Sequence, residues 1–379
     1  MQAPLQLFKP FHSEALETSA LAVLRSGQIA SGPNVRQFEL ELGRLLGSPH
    51  VVTTNDMSSA LQIALHLAGV GPHDEVLTTA YNCMSSNAPI ATADARPRWV
   101  DIDPMTGLMD PASLAASISP RSKACVLYHA AGYPARAQAI ADICRRHGIA
   151  LIEDCNNALG ARIGGTPVGA FGDMAVYSFY PNRQINAGDG GAIALRDPDL
   201  AQRAMCLRRF GIDMHSFRDE LGEINPASDI PEIGWSAAMS NLNAALGLAQ
   251  LPGLTERMAA TGANAAWLSQ QLVAVPGLQI VAASPASTPA YWGLLILAEH
   301  RDAVLRHLKR NGVMASKLHE RTDRYSGFKA DPSQALPGTA SFMERVLALP
   351  CGWWLNADDL ERIRSTVVEA AAFAASGQG

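Results

Sequence analysis

The chain has 379 residues, 48% of them hydrophobic and 17% charged, with a formal net charge of -5. That length exceeds one simple core and suits a large domain with a smaller one, and the apolar content excludes wholesale disorder. No long run of one charge sign occurs, which argues against a nucleic-acid stripe and against a polybasic membrane patch.

The opening MQAPLQLFKPFHSEAL lacks a basic start and an apolar core, so no signal peptide is expected. No apolar stretch reaches bilayer length. A soluble, cytoplasmic protein is therefore expected. Cys83, Cys125, Cys144, Cys155, Cys206 and Cys351 are scattered without a CxxC pair, which predicts free thiols and no metal site.

Short β-rich runs alternate with helical patterns over the first two thirds of the chain. VVTT (51–54) precedes the helical SSALQIALHLA, and DEVLTTAY (74–81) and PRWVDID (97–103) follow as strands. KACVLYHAAG (123–132) leads into the helical RAQAIADICRRHG; IALIED (149–154), MAVYSF (174–179) and GGAIAL (190–195) are the remaining strands. Apolar strands separated by helices predict an α/β fold with a mostly parallel sheet covered on both faces. Asn55, Asp56, His129, Asp154 and Ser178 stand at strand ends. Ligands of open α/β sheets lie at the carboxyl ends of strands, so these residues are expected to converge on one crevice.

A boundary is read at Leu251-Pro252-Gly253, dividing a large α/β domain (1–252) from a small α+β domain (253–379). The second part holds a long helix, short strands at GLQIV and YWGLLIL, the helix RDAVLRHLKRNG and a last helix from about Ala357. AASPASTPA (282–290) is expected as a loop, and the SGQG end is expected to fray.

Several residues carry two readings from the sequence alone. Asp154 ends an apolar strand, where a carboxylate needs a partner, or it caps the next helix. Ser58 and Ser59 sit inside a helix start after Thr54-Asn55-Asp56. Such a start suits a phosphate, and it equally suits simple N-capping. Trp353 and Trp354 read as core between the domains rather than as ligand contacts.

The block IEDCNNALGARIGGTPVGAFGDMAVYSFYPNRQINAGDGGAIAL (152–195) resembles the DegT/StrS family of sugar aminotransferases. The matching positions are Glu153, Asp154, Ala158, Gly160, Gly169, Gly172, Asp173, Ser178, Phe179, Gly188, Asp189, Gly190 and Gly191. SGQIASGPNVRQFE (26–39), TNDMSSALQIAL (54–65), HAAGYPA (129–135), RRFGID (208–213), KLHERTDRYSGF (317–328) and LPCGWWL (349–355) resemble further family segments in order. The resemblance implies fold type I of the pyridoxal-phosphate transferases, with a seven-stranded-type sheet. It implies a site for pyridoxal 5'-phosphate or pyridoxamine 5'-phosphate, and a nucleotide-linked keto or amino sugar as substrate. It also implies a homodimer with shared active sites, or pairing with a homologous subunit.

Carried over residue by residue, the resemblance gives Asp154 the cofactor's ring nitrogen and Ser58, Ser59 and Ser178 its phosphate. Cys83 stands where a residue stacks on the ring. Asn157 stands at the position of the family's Gln/His near the phenolic oxygen, and Ser236 where an Asn reaches across the dimer. Arg321 and Asp323, with His319, fall in the segment lining the family's sugar pocket. The same register puts Arg183 on the Schiff-base lysine. A guanidinium stays protonated and is a poor nucleophile and base, but it holds anions well. Three readings stay open: a trapping substitution of an ordinary aminotransferase, a lysine-independent enzyme holding its cofactor non-covalently, or an inactive homologue or repurposed pocket. In the second reading a histidine does the lysine's proton work, and His215, His319 and His129 are the candidates, each with the plainer reading of a surface or strand-end histidine.

Overall fold

The computed structural model of the chain describes residues 3–328 and 334–376, and the end expected to fray lies outside them beyond Ser376. Helices α1 (Glu14–Ser26) and α2 (Pro33–Leu46) lead into strand β1 (His50–Thr54). Next come α3 (Met57–Leu67), β2 (Glu75–Thr79), α4 (Met84–Thr92), β3 (Arg96–Val100) and α5 (Pro111–Ser117). Strand β4 (Ser122–Tyr128), α6 (Ala137–His147) and β5 (Ala150–Asp154) precede a small hairpin, β6 (Arg162–Ile163) and β7 (Thr166–Pro167). Strands β8 (Met174–Ser178) and β9 (Gly191–Leu195) close the sheet, followed by α7 (Pro198–Leu207) and α8 (Asn241–Leu248).

These strands form one seven-stranded sheet in the order β1-β9-β8-β5-β4-β2-β3. Strands β3, β2, β4, β5 and β8 pair in parallel, and β9 runs antiparallel to both β8 and β1. The expected mostly parallel α/β sheet is therefore present. Side chains alternate between its two faces. Ile152, Val176 and Ile193 bury one face against Leu61, Ala64 and Leu65 of α3. Leu127 and Leu151 bury the other against Ile140 and Ile143 of α6. Each fully buried aliphatic side chain contributes about 1.5–3 kcal/mol over exposure, so this layering dominates the fold.

The rest of the chain holds α9 (Leu254–Leu272), β10 (Leu278–Ile280), β11 (Ser287–Thr288), β12 (Leu294–Ala298), α10 (Arg301–Arg310), α11 (Pro337–Arg345), β13 (Val346–Leu349) and α12 (Ala357–Ala375). Strands β10, β12 and β13 form a second, antiparallel sheet, with Leu268, Val304 and Val367 in its core. Strand β13 is a four-residue VLAL run, too short to show a period. The segment expected as a loop contains β11, which pairs with β6. Leu5 forms a bridge to Val313 and packs in this second core. No described helix is long and apolar enough to cross a membrane, and all six cysteines are unpaired.

Strand β2 lies between β3 and β4, so the chain reverses its direction of growth there. The carboxyl ends of β2 and β4 therefore open a crevice. At the neighbouring end of β5, Glu153 ties the sheet together. Its oxygens accept the backbone N–H groups of Gly169 (2.9 Å), Phe171 (2.7 Å) and Gly172 (2.7 Å). Burial pushes its carboxyl up, but the His129 ring and these amides outweigh burial and hold it below the usual carboxylate range. Glu153→Gln would leave buried N–H donors facing an amide. The expected loss of unfolding free energy is about 2–4 kcal/mol in urea titration; a loss below about 1 kcal/mol would contradict this role.

Candidate active site

Tyr128 and Asp154 are Cα partners at the ends of β4 and β5. Asp154 in turn pairs with Val176, two residues before Ser178. Strand alternation therefore puts Tyr128, Asp154 and Ser178 on the face that α3 covers, and Glu153 on the opposite face. The same alternation separates a closed node from an open one.

The closed node is His129, Glu153 and Cys155, whose ligand-type atoms lie within 4.8 Å of one another. The Ala135 N–H donates to His129 Nδ1 at 3.0 Å, so Nε2 carries the ring proton and donates to Glu153 at 3.0 Å. Both ring nitrogens are engaged. His129, a histidine candidate from the sequence, is therefore a positioned structural group and neither a free base nor a metal ligand.

The open node surrounds Asp154, which has no exposed surface. Its Oδ1 accepts from the backbone N–H (3.1 Å) and side-chain amide (2.8 Å) of Asn156. Its Oδ2 has no partner. Burial raises the Asp154 carboxyl above the usual range, against the pull of Asn156, of His129 and of the Ser86 hydroxyl, which lies close enough to act on the carboxyl without closing a hydrogen bond of good geometry. Tyr81 Oη, Asn82 Nδ2, Ser86 Oγ, Asn156 Oδ1, Asn157 Oδ1, Arg183 Nε and Gln184 Oε1 are buried and unpartnered as well. They belong to one neighbourhood. Asn157 donates to Tyr128, Gln184 donates to the Asn157 carbonyl, and the field of Arg183 acts on Tyr128, which in turn feels Asp154. Each buried polar group left unpaired costs about 1–3 kcal/mol. Their concentration beside Asp154 marks a polar site whose groups are left for a ligand to satisfy.

Tyr128 was not singled out by the sequence, although it directly precedes His129 at a strand end. Its hydroxyl accepts from the Ala131 N–H (3.2 Å) and the Asn157 amide (2.8 Å), and meets His319 Nε2 at 3.2 Å. With both lone pairs taken, the phenol proton points at His319. Burial raises the Tyr128 hydroxyl further from ionisation, so it stays a donor. His319 is wedged between the Tyr81 and Tyr128 rings, at 5.1 and 5.9 Å. Burial and the nearby Arg183 charge push it down to about 4, so it is neutral at neutral pH. Thr322 holds this segment in place, donating through its N–H (3.1 Å) and hydroxyl (3.0 Å) to the Ala80 carbonyl.

Arg183 lies in a turn closed by its N–H to the Tyr180 carbonyl (2.9 Å). Its guanidinium lies 4.9 Å from the Trp292 ring centroid. Trp292 donates to the Asn182 carbonyl (2.7 Å) and stacks on Phe8 (4.1 Å), so the turn is clamped from outside. Burial lowers the basicity of Arg183, while Tyr128, Cys83 and Asp154 favour its charged form. Cys83 is half-buried and free at the start of α4.

At the start of α3, Asp56 accepts from the Ser59 N–H (2.8 Å) and Ser59 hydroxyl (2.9 Å). Ser59 thus makes the N-cap interaction that was its other reading from the sequence. Ser58 makes no side-chain hydrogen bond among the described residues, and Ser178 receives only a long contact from the Tyr180 N–H (3.4 Å). Gly191 lets β9 approach this turn; a Cβ there would lie 2.5 Å from the Asp56 carbonyl oxygen. Ser236 is exposed, with its carbonyl 3.5 Å from Asn55 Nδ2. His215 is exposed, and among the described residues it shares no hydrogen bond, ion pair or ring contact with the cluster. Its segment is polar and irregular, so it is not brought to this crevice within one chain. Arg321 and Asp323 pair with each other, Nε to Oδ1 at 2.9 Å, beside His319. Lys317 is held by Glu320 at 2.8 Å.

The family described as the DegT/DnrJ/EryC1/StrS aminotransferase family matches residues 12–368. The dTDP-3-amino-3,4,6-trideoxy-alpha-D-glucose transaminase of Streptomyces venezuelae is 31% identical over 92% of this chain and 89% of its own. The crystal structure of the sugar aminotransferase CalS13 from Micromonospora echinospora superposes with a TM-score of 0.91, at 32% identity, over 96% of this chain and 99% of that one. An aminotransferase, TlmJ, from Streptoalloteichus hindustanus gives a TM-score of 0.91 at 29% identity, over 98% and 99% of the two chains.

The neutral His319 has a measurable consequence. An unfolded histidine takes up a proton near pH 6.5, and the folded one resists it down to about 4. His319 therefore contributes stability above pH 6.5 that is lost as pH falls toward 4. His319→Gln should flatten the rise of unfolding free energy with pH across that window, measured by denaturant titration. An unchanged slope would mean that the ring takes up its proton as readily in the folded chain as in the unfolded one.

Proposed function

We propose a function from one premise: the chain belongs to the DegT/DnrJ/EryC1/StrS aminotransferase family, whose aminotransferases work with pyridoxal 5'-phosphate. The protein holds pyridoxal or pyridoxamine 5'-phosphate without a covalent tether and acts on a nucleotide-linked keto or amino sugar. The observation that carries this reading is the unpartnered, fully buried Oδ2 of Asp154 within a ring of unpartnered polar atoms.

The residues present fit the cofactor. Asp154 Oδ2 would take the protonated ring nitrogen, and the resulting ion pair would restore the carboxylate that burial disfavours. Ser58 and Ser178 are the free hydroxyls for the phosphate, with the α3 N-terminus behind Ser58. Cys83 and Asn157 would stand against the ring. When bound, the cofactor supplies an electron-withdrawing ring that stabilises negative charge on a neighbouring carbon.

Arg183 occupies the lysine position of the family. It neither bonds covalently to an aldehyde carbon nor shuttles protons. Its charge instead holds an anionic group, and burial strengthens that attraction. His319 is a neutral base whose proton affinity the Arg183 charge lowers. Tyr128 donates to His319 Nε2 and so fixes its tautomer, and a proton can reach that nitrogen only when the phenol turns aside. Arg321 and Asp323, paired beside it, are positioned for sugar hydroxyls.

The nucleotide-linked substrate is supported by the Streptomyces venezuelae relative, a transaminase of a dTDP-linked amino sugar. The protein acts as a homodimer with shared sites. Phe210, Met214, Leu221, Ile224 and Ile233 expose apolar surface along the segment that carries His215 and Ser236, as a subunit contact requires. In such a dimer His215 would serve the neighbouring site. The six unpaired cysteines are in keeping with a cytoplasmic location.

Difference absorption and calorimetry with pyridoxal and pyridoxamine phosphate test this reading. Both should bind the wild-type protein, and Asp154→Asn should weaken them at least about tenfold, the worth of one charge-assisted hydrogen bond. Equal affinity in wild type and variant would contradict the placement, and no binding at all would sink the function.

A further inference from the structure

Asn87 has no exposed surface, and both ends of its amide are hydrogen-bonded. It lies on α4, one turn after Cys83 and directly after Ser86, whose hydroxyl acts on the Asp154 carboxyl. Its Oδ1 accepts from the Thr78 hydroxyl (2.8 Å). Its Nδ2 donates to the Thr79 carbonyl (3.1 Å) and to the Thr322 hydroxyl (2.8 Å). The first two contacts fix the amide to the end of β2. The third spans 235 residues of sequence and reaches the segment that carries His319.

Thr322 opens the single 3₁₀ turn Thr322–Arg324, just beyond His319 and Arg321. Its N–H and hydroxyl both donate to the Ala80 carbonyl, and Arg321 forms a bridge to Tyr81. The Thr322 hydroxyl therefore gives its proton to Ala80 and accepts one from Asn87. The charged side chains nearby pair within the segment, Lys317 with Glu320 and Arg321 with Asp323. Those pairs shape the segment and do not tie it to the sheet. Fixing an irregular segment costs about 1–2 kcal/mol per residue in backbone entropy, so it stays docked only where buried contacts hold it. Asn87 supplies one at the point where the segment meets β2.

We infer that Asn87 is a positioning residue: through Thr322 it holds His319 against Tyr128 and beside the Arg183 turn. The inference rests on the proposed role of His319 as the neutral base and deepens it. Cys83, Ser86 and Asn87 share the start of α4, so the helix that faces the ring site also anchors the segment that faces the sugar.

NMR of the histidine-labelled full chain against pH tests it, with the His319 signal identified by its loss in His319→Gln. Tyr81, Tyr128 and Arg183 surround the ring, and burial with the Arg183 charge holds its midpoint at about 4. The wild-type ring should therefore stay neutral from pH 8 down to about 5. A released ring gains water and moves from that charge, so its midpoint climbs toward 6.5. Thr322→Val keeps the shape and removes the hydroxyl, and it should lift the midpoint above about 5, as should Asn87→Ala. Thr322→Ser keeps the hydroxyl and should titrate as the wild type does. A part in stability alone would lower the melting temperature of the variants and leave the His319 signal where it was. If Asn87→Ala does not fold, Thr322→Val decides. An unmoved midpoint in either folded variant overturns the inference. So does a serine variant that shifts as far as the valine one, or a wild-type ring that titrates above about 5. The readout needs no cofactor, so it is separable from the pyridoxal phosphate titration. Cofactor binding with an unmoved His319 overturns the positioning role alone. A moved His319 in a chain that binds no cofactor upholds the positioning role and sinks the proposed function.

Discussion

Two carboxylates side by side at the end of β5 must face opposite ways, because a strand alternates its side chains. Glu153 turns to one face, where three backbone amides and His129 satisfy it. Asp154 turns to the other, where one oxygen is satisfied and one is not. The first carboxylate makes the strand end rigid. The second uses that rigidity to hold an unmet demand in a fixed place. A flexible loop could not keep a buried oxygen unpaired, since it would relax to satisfy it.

The surroundings follow from that demand. Tyr128 is brought beside Asp154 by strand register and reaches His319, which the 317–328 segment delivers by docking on Ala80. Arg183 enters from a turn clamped by Trp292 and Phe8. Its charge lowers the proton affinity of His319 and sits within reach of the field of Asp154. A lysine at this point would be pulled toward its neutral form by burial, but a guanidinium resists deprotonation far better. The proposed exchange of a tether for a fixed charge is thus consistent with the pocket's own electrostatics.

The fold was legible because its strands are short apolar runs ending in polar residues, as at ALIED and MAVYS. Strand β13 escaped because four apolar residues carry no period, and β11 because pairing with β6 is a tertiary event inside a polar loop. Asp154 and Ser178 were legible from strand-end position. Tyr128 was not, because a tyrosine in an apolar run reads as core until its hydroxyl partners are known. Ser59 kept two readings for a related reason: a capping serine and a phosphate-binding serine look alike in sequence, and only the structure shows the cap with Asp56. Trp353 and Trp354 read as interdomain core, but the structure leaves them half-buried, with the Trp354 ring packed where any side chain at Gly352 would stand.

The central claim is a cofactor held beside Asp154 with no covalent tether at residue 183. Intact-protein mass spectrometry after incubation with pyridoxal phosphate and borohydride tests it most directly, with Arg183→Lys run in parallel. The account predicts an unchanged mass for the wild-type chain and a pyridoxyl adduct on Lys in the variant. A stoichiometric adduct on the wild-type protein would contradict it.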